Sequence, residues 1–323
     1  RLTLPAACTG ASKVCLRIAR EFAAEREQWG AKIGKHEAIA QKIAFIASHT
    51  FAQEAISFYT SALVDRGQAD IRLEAAMCKM FCSEVSWDII HETLQIRSGR
   101  GFETASSLRN RGEKGVPIER FMRDCRINMI FEGTSEIMRL FLAREALDPH
   151  LRLAGDLLNP RAPLPARAKS FLQATLHYMG WYPRLWNPVG RSFHVHPQLA
   201  LHLRYADKAS RRLARSLFHA MNVYQASLEK KQALLTRFVE VGTELFAIAA
   251  TCARADALER LDAEKHAGVI ELADTFCTSS RKRIENNFRG VWRNNDRATY
   301  KVAQRVNAGE FAWLEKGGSD IDF

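Results

Sequence analysis

The chain has 323 residues, enough for about two domains if each takes roughly 150 residues. Hydrophobic residues make up 47% and charged residues 26%, and no stretch reaches the roughly 20 apolar residues that a bilayer-spanning helix needs. The net charge of +11 comes mostly from the second half, where residues 151–323 carry 26 basic and 17 acidic residues, against 21 and 19 in residues 1–150. This composition is typical of a soluble globular protein.

The cysteines argue against a disulfide framework and against a zinc site. Their number is odd and no Cys-x-x-Cys pair occurs, so we expect buried thiols in a reducing compartment and no bound metal. The seven are Cys8, Cys15, Cys78, Cys82, Cys125, Cys252 and Cys277. The first residue is Arg1 rather than Met, so we expect the natural N-terminus, with any targeting signal, to lie upstream.

Helical periodicity dominates residues 1–150, and no segment has the alternation of a convincing strand. Glycines mark the joints between helices, and Asp148-Pro149 is expected to end the last helix. The predicted helices span 5–29, 37–66, 71–97 and 135–147. Four helices with short joints predict an all-α fold, an antiparallel four-helix bundle.

The segment from Asn159 to Pro165 contains three prolines and is predicted to be a domain boundary. A second helical bundle is expected after it, with a frayed tail from Gly317. Its predicted helices span 197–227, 229–260, 264–289 and 295–307. The predicted organisation is therefore a helical domain over 1–150, a basic linker rich in proline and aromatic residues over 151–196, and a helical extension over 197–323.

The segment Ile130-Phe131-Glu132-Gly133-Thr134-Ser135-Glu136 is the most informative in the chain. Thr134 or Ser135 can cap the following helix, and Glu136 suits its positive end. Glu132 precedes that helix and follows two apolar residues, and a desolvated carboxylate is suited to remove a weakly acidic C–H proton. The alternative is a solvated loop acid beside an ordinary helix cap.

Two further segments contain groups that suit a nucleotide cofactor. Glycines in Gln95-Ile96-Arg97-Ser98-Gly99-Arg100-Gly101-Phe102 allow close backbone approach, and its arginines suit a pyrophosphate; because it follows a helix, it is not a dinucleotide-fold motif. In Arg26-Glu27-Gln28-Trp29-Gly30, Arg26 can bind phosphate and Trp29 presents a flat ring. A helix end and its loop remain the alternative for both.

Together the three segments resemble the C-terminal domain of the acyl-CoA dehydrogenase family, over Arg1 to about Leu151 and in the family's order and spacing. The resemblance implies that Glu132 is the base that removes the α-proton of an acyl-CoA, while the β-hydrogen leaves as hydride to FAD. It implies that the backbone N–H of Glu132 polarises the thioester carbonyl and that Gly133 lines the substrate site.

The resemblance also implies the FAD contacts. Arg26, Gln28 and Trp29 would reach the FAD of a neighbouring subunit, as would the Gln95–Gly99 segment, in which Ser98 replaces the family's first glycine. The implied cofactor-binding residues are Arg26, Gln28, Trp29, Gln95, Ile96, Arg97, Ser98, Gly99, Thr134, Ser135 and Glu136. A homodimer follows from this sharing.

The implied function is FAD-dependent α,β-dehydrogenation of a long-chain acyl-CoA, with an electron-transfer flavoprotein as acceptor. The family's N-terminal helical domain and middle β-domain are absent from this sequence, so the fragment alone is expected to be inactive. Two alternatives stay open: an acyl-CoA oxidase, which uses dioxygen, and a non-catalytic scaffold that keeps the fold. Retention of the base weighs against the scaffold.

Residues after about 197 more loosely resemble the C-terminal extension of the family's very-long-chain branch, most clearly between Lys231 and Ala255. Between Asp156 and Asp207 the chain has no acidic residue. Basic side chains interleaved with aromatic and leucine residues suit an anionic membrane surface, whereas no nucleic-acid motif accompanies them; a basic linker is the alternative. The basic residues of its first part are Arg161, Arg167, Lys169, Arg184 and Arg191, with Trp181 and Trp186 between them. The expected location is the cytoplasm in a bacterium or the mitochondrial matrix in a eukaryote, with peripheral attachment to the inner membrane as a further option.

Overall fold

The computed structural model describes residues 2–67, 70–155, 162–186 and 191–315. The described chain is almost entirely helical, which confirms the predicted all-α class. None of the helices in these ranges is long and apolar enough to cross a membrane. Two predicted features lie outside these ranges: the frayed tail from Gly317 and the Asn159–Arg161 part of the boundary, which includes the basic residue Arg161.

The N-terminal half contains seven helices and one small hairpin among the described residues. Three long helices pack on one another, and short helical segments that periodicity did not predict connect the third of them to the last helix of this half. The elements are α1 (Thr3–Glu25), β1 (Glu27–Gln28), β2 (Ala31–Lys32), α2 (Glu37–Asp65), α3 (Arg72–Arg97), α4 (Gly99–Phe102), α5 (Ala105–Asn110), α6 (Ile118–Arg126) and α7 (Ser135–Ala154).

The predicted end of the first helix is wrong, because α1 stops at Glu25 rather than at residue 29. The chain turns there into a two-stranded antiparallel hairpin, in which Gln28 pairs with Ala31. The two turn residues have positive φ, 50° at Trp29 and 75° at Gly30, as the turn of a tight hairpin requires. The sequence showed no strand here because two-residue strands have no periodicity to detect.

The described part of the C-terminal half adds five helices, of which one lies in the predicted linker. They are α8 (Leu164–Arg184), α9 (Pro197–Tyr224), α10 (Gln232–Leu261), α11 (Val269–Trp292) and α12 (Asp296–Asn307). Residues 164–184 were predicted as linker because they are basic and contain prolines. They form a helix because Ala174, Tyr178 and Trp181 recur at helical spacing and pack against other helices.

Asp148-Pro149 does not end α7, contrary to the prediction. The helix continues through Pro149 to Ala154 and stops at Gly155, whose φ is +38°. Contacts made by the last turn explain the continuation: the His150 ring stacks on Tyr178 of α8, and its Nδ1 is 2.9 Å from the Tyr178 hydroxyl. Packing energy from these contacts offsets the hydrogen bond that a proline cannot make.

The two halves share one hydrophobic core. Leu4, Ile56 and Phe81 of the first half lie in the same buried cluster as Ile248 and Phe276 of the second. The predicted domain boundaries at 150 and 196 therefore do not coincide with a break in the packing, and as functional boundaries they stay a prediction. All seven cysteines are buried thiols, as predicted.

Candidate active site

The loop that carries Glu132 lies between α6 and α7 and has an uncommon backbone. Glu132 has φ +55°, a left-handed conformation that only glycine adopts without cost, and Gly133 has φ +103°. A Cβ on Gly133 would lie 2.8 Å from the Met138 Sδ, so the position also leaves little room for a side chain. Such local strain persists only where the surrounding structure enforces it, and it concentrates at functional sites.

The start of α7 fixes the C-terminal end of this loop. Thr134 is the N-cap, and its Oγ1 accepts a hydrogen bond of 3.3 Å from the Ile137 N–H, which satisfies one of the free donors of the helix. On the other side, the buried Lys79 of α3 donates from Nζ to the Gly133 carbonyl at 2.8 Å. The loop is thus held from α7 and from α3.

Glu132 itself is exposed, and its apolar neighbours Ile130 and Phe131 are 47% and 42% exposed. The expected apolar enclosure of the carboxylate is therefore not supplied by the described residues. Apolar neighbours in the chain enclose a side chain only when other elements cover them, and the described residues supply no such cover for Glu132. An acyl-CoA or another part of the protein would have to exclude water from this carboxylate.

Thr134, Ser135 and Glu136 line a cavity of about 340 Å³ together with Trp87 and Arg126. The Arg126 guanidinium lies over the Trp87 ring, 5.3 Å from its centroid. The buried Ser135 hydroxyl has no hydrogen-bond partner among the described residues. The pKa of Glu136 is lowered by backbone N–H donation at the helix start and by Thr134, which keeps it ionised. The structure brings the three predicted cofactor residues of α7 together.

Two predicted cofactor residues of the second group, Arg26 and Arg97, meet at the arginine cavity, a space of about 620 Å³ that Arg100 and Phe22 also line. Arg97 is 7% exposed, and its Nε has no hydrogen-bond partner among the described residues. Its guanidinium lies over the Phe22 ring at 4.8 Å. Burial lowers the pKa of Arg97, but arginine stays protonated in proteins.

The arginines of this cavity differ in what they already bind. Arg100 pairs with Glu113 in two hydrogen bonds of 2.7 and 3.0 Å, so it is largely neutralised. The exposed Arg26 side chain makes no hydrogen bond or ion pair with described residues. A buried guanidinium with an unsatisfied Nε, beside a second unpaired arginine, fits the pyrophosphate of a nucleotide cofactor.

The remaining predicted cofactor residues lie near this cavity but face differently. Ser98 has φ +54° and ends α3, and Gly99 begins α4 with open space around it. Gln95 is exposed, whereas Ile96 is 2% exposed and packs in the core, so its side chain is not available to a ligand. Gln28 and Trp29 are exposed on the hairpin, and the Trp29 side chain is 91% exposed.

Sequence reasoning missed several charged side chains at the site because their partners are distant in the chain. Arg139 of α7 donates a hydrogen bond of 2.8 Å to Glu84 of α3 and one of 2.6 Å to Glu240 of α10. Lys79 was interpreted only as part of a helix. Lys79 shares the buried side of α3 with polar residues such as Ser86 and Arg97, so its place in the core became evident only from the packing.

Comparison with known proteins agrees with the motifs. Residues 1–147 match the family model described as acyl-CoA dehydrogenase, C-terminal domain. The chain is 47% identical over 320 residues to the probable acyl-CoA dehydrogenase FadE10 of Mycobacterium tuberculosis, covering 98% of this chain and 49% of that protein. It is 28% identical over 325 residues to the human very long-chain specific acyl-CoA dehydrogenase, covering 98% and 47%.

Two solved structures show the same fold. An acyl-CoA dehydrogenase complexed with FAD from Bacillus anthracis aligns with a TM-score of 0.68 and 24% identity, covering 94% of this chain and 50% of that one. Acyl-CoA oxidase3 from Yarrowia lipolytica aligns with a TM-score of 0.65 and 15% identity, covering 95% and 46%. Residues 1–147 are the C-terminal domain of the acyl-CoA dehydrogenase family, and acyl-CoA dehydrogenases that include the very-long-chain type match this chain over 98% of its length. It spans about half the length of the curated relatives it matches.

Proposed function

We propose that the full-length protein is an FAD-dependent acyl-CoA dehydrogenase that acts on a long-chain acyl-CoA, with Glu132 as the catalytic base. The placement of Glu132 carries the proposal. Its carboxylate is exposed at positive φ immediately before α7, on a loop held by Thr134 and Lys79. An acid that served only as a helix cap would need neither the strained backbone nor a buried lysine.

Glu132 would take the α-proton of the acyl-CoA while the α,β double bond forms and the β-hydrogen leaves as hydride. FAD, when bound, accepts that hydride. The backbone N–H of Glu132 would donate to the thioester carbonyl and so stabilise the negative charge that develops on its oxygen. Gly133 allows the acyl chain to approach the backbone.

The cofactor would be held by cations and by the start of α7. Thr134, Ser135 and Glu136 would lie along the FAD of their own subunit. Arg26 and Arg97 of the arginine cavity would bind the pyrophosphate of a neighbouring subunit's FAD, which Gln95, Ser98 and Gly99 would also reach. Ile96 would contribute only through its backbone, because its side chain is buried.

A homodimer follows if the hairpin serves a neighbouring subunit. An indole that is 91% exposed leaves a large apolar ring in water in a monomer, and a partner subunit or a cofactor that covers it would bury that ring. The mass of the flavin-loaded protein in solution, measured by light scattering, tests this; a monomer with full flavin content would contradict it.

The electron acceptor separates a dehydrogenase from an oxidase. We propose an electron-transfer flavoprotein as acceptor, so the reduced protein should be reoxidised rapidly by such a carrier and slowly by dioxygen. The reverse order of rates, measured by stopped-flow absorbance, would indicate an acyl-CoA oxidase. We further propose a cytoplasmic or matrix location, with a peripheral membrane association through α8.

The test of the base is Glu132→Gln in the full-length protein. The amide preserves size and cannot accept the proton, so flavin reduction by acyl-CoA should fall by about 100- to 10,000-fold while flavin content is unchanged. Anaerobic bleaching of the flavin absorbance under an acyl-CoA panel measures the rate and identifies the preferred chain length.

The matched control is Asp124→Asn on α6, which removes an exposed carboxylate that pairs with Arg120 one turn away. The flavin of this variant should be reduced by acyl-CoA at the wild-type rate. Bleaching of the Glu132→Gln variant as fast as this control would place the base elsewhere, and an intact but substrate-inert wild type would favour the scaffold.

A further inference from the structure

Lys79 is fully buried and is among the largest fully buried side chains of the described residues, with Phe276. It lies in the second turn of α3, where its neighbours in the helix, Cys78 and Met80, are core residues. Removing an ammonium group from water is costly unless polar groups receive it. A lysine kept at such a position therefore has a specific use for its charge and its donors.

The hydrogen bond to Gly133 shows where one of those donors goes. Lys79 Nζ lies 2.8 Å from the Gly133 carbonyl oxygen, although the two residues are 54 positions apart in sequence. That carbonyl belongs to the residue directly after Glu132, and both residues have positive φ. The orientation of the Glu132 backbone and side chain therefore depends on the peptide that Lys79 holds.

The neighbouring Cys8 does not account for the charge of Lys79. The positive charge of Lys79 lowers the pKa of this thiol, but burial outweighs that effect and raises the pKa to about 12. Cys8 is therefore a neutral thiol at physiological pH and supplies no anion for the ammonium. The hydrogen bond to the Gly133 carbonyl connects this lysine to the site.

We propose that Lys79 is a positioning residue for proton abstraction: its ammonium holds the Gly133 carbonyl and thereby keeps the Glu132 carboxylate and N–H at the thioester. The inference rests on the proposed function and adds a residue from the core of α3 to the site. Misplacement of a reacting group by about 1 Å costs on the order of 100-fold in rate. A lysine that serves stability alone would affect unfolding and leave proton abstraction unchanged.

The test measures proton abstraction separately from flavin reduction. The probe is an arylacetyl-CoA, which has α-hydrogens but no β-hydrogen, so deuterium from D₂O enters the α-carbon without any oxidation and is followed by NMR. In the flavin-loaded full-length protein, Lys79→Met keeps the length of the side chain but removes the charge and donor. Exchange should fall by about 100-fold. Lys79→Gln keeps a donor on a shorter, uncharged side chain, so its exchange rate should lie between those of Lys79→Met and wild type.

The control is Lys42→Met, which removes a half-buried lysine of α2 whose ammonium pairs with Glu92 of α3. It should exchange like wild type. Circular dichroism and flavin content identify the folded variants, and wild-type exchange in either folded Lys79 variant would overturn the inference. Glu132→Gln runs in the same assay; wild-type exchange there would overturn the proposed base instead.

Discussion

At the scale of single residues, the backbone around Glu132 is the most unusual feature of the chain. Four non-glycine residues among those described have positive φ: Trp29, Ser98, Glu132 and Gln225. The first three belong to the segments that sequence reasoning selected for cofactor or substrate. Backbone strain thus coincides with the segments that the sequence motifs selected.

Gly133 gives a prediction at this scale. An alanine there would have a Cβ 2.8 Å from Met138 Sδ at a φ of +103°, so Gly133→Ala should lower the free energy of unfolding by about 1–3 kcal/mol. Urea unfolding followed by circular dichroism measures this change. Flavin reduction should fall as well, because the shifted backbone displaces Glu132.

Gly10→Ala is the matched control, because Gly10 is an exposed position in α1 where an added methyl group would have no heavy atom within 4 Å. Replacing a helical glycine by alanine should raise the free energy of unfolding by about 0.5–1 kcal/mol. Equal stability of Gly133→Ala and wild type would show that the loop relaxes without cost.

At the scale of elements, α8 has two faces with different occupants. One face packs inward, where Tyr178 and Trp181 contact Phe218 of α9 with ring centroids 4.9 and 5.9 Å apart. The other face is exposed and apolar, and its residues are 59–78% exposed: Leu164, Phe171, Leu172, Leu176 and Met179. Trp181 therefore packs on other helices, contrary to the sequence-based expectation, and the face proposed for the membrane would consist of leucine, phenylalanine and methionine.

Vesicle binding tests the proposed membrane association of α8. In the proposed membrane-bound state, the exposed Lys169, Arg184 and Arg191 would each add about 1 kcal/mol at an anionic surface, and the apolar stripe would insert beneath them. The protein should sediment with anionic vesicles at low salt and be released as salt rises. Leu172→Gln combined with Leu176→Gln should abolish sedimentation without affecting flavin reduction.

The control removes a similar apolar area from another exposed helix. Val302→Gln combined with Val306→Gln on α12, where both valines are about half exposed, should sediment like wild type. If the wild-type protein does not sediment with anionic vesicles even at low salt, α8 does not bind membranes and is an ordinary surface helix. Equal loss in both double variants would show that the apolar contact is not specific to α8.

At the scale of the whole molecule, polar contacts join the N-terminal and C-terminal halves in addition to the shared hydrophobic core. Arg254 of α10 pairs with Glu54 of α2 at 3.1 Å, and Arg139 bridges α3 and α10. Arg283 of α11 lies 3.3 Å from Nε2 of the buried His49 of α2, which also packs edge-to-face on Phe276. The extension is therefore anchored to the helices that position the Glu132 loop.

His49 makes this anchoring depend on pH. Burial and the nearby Arg283 lower its pKa from 6.5 to about 3, so the folded state holds it neutral while the unfolded state protonates it below about pH 6.5. The contribution of neutral His49 to the free energy of unfolding is therefore complete above the pKa that His49 has in the unfolded state. It is lost as the pH falls towards the lower pKa that His49 has in the folded state. The free energy of unfolding should decrease by at most about 1.4 kcal/mol per pH unit between pH 6 and pH 4 from this group.

Urea unfolding at several pH values measures how steeply the free energy of unfolding changes with pH. His49→Gln should make this slope shallower by up to about 1.4 kcal/mol per pH unit. His91→Gln, at an exposed position of α3, is the control and should keep the wild-type slope. An unchanged slope in His49→Gln would mean that other groups, carboxylates above all, cause the acid sensitivity.

The sequence by itself determined the all-helical class, the long helices of both halves and the loop that carries Glu132. Helical periodicity, caps and motif spacing are properties of residues close together in the chain, so they can be recognised without the fold. The errors occurred where packing overrode local signals. Proline and basic residues at 148–184 suggested an end and a linker, but aromatic contacts of His150, Tyr178 and Trp181 keep α7 and α8 helical.

Only the tertiary structure decided which distant residues meet. It placed Arg26 and Arg97 in one cavity, brought Lys79 to the Gly133 carbonyl and left Glu132 exposed where enclosure was expected. The physical reason is that burial and charge pairing depend on how helices pack side by side. Lys79 and Gly133 are separated by 54 positions in sequence, and their contact depends on the packing of α3 against α7.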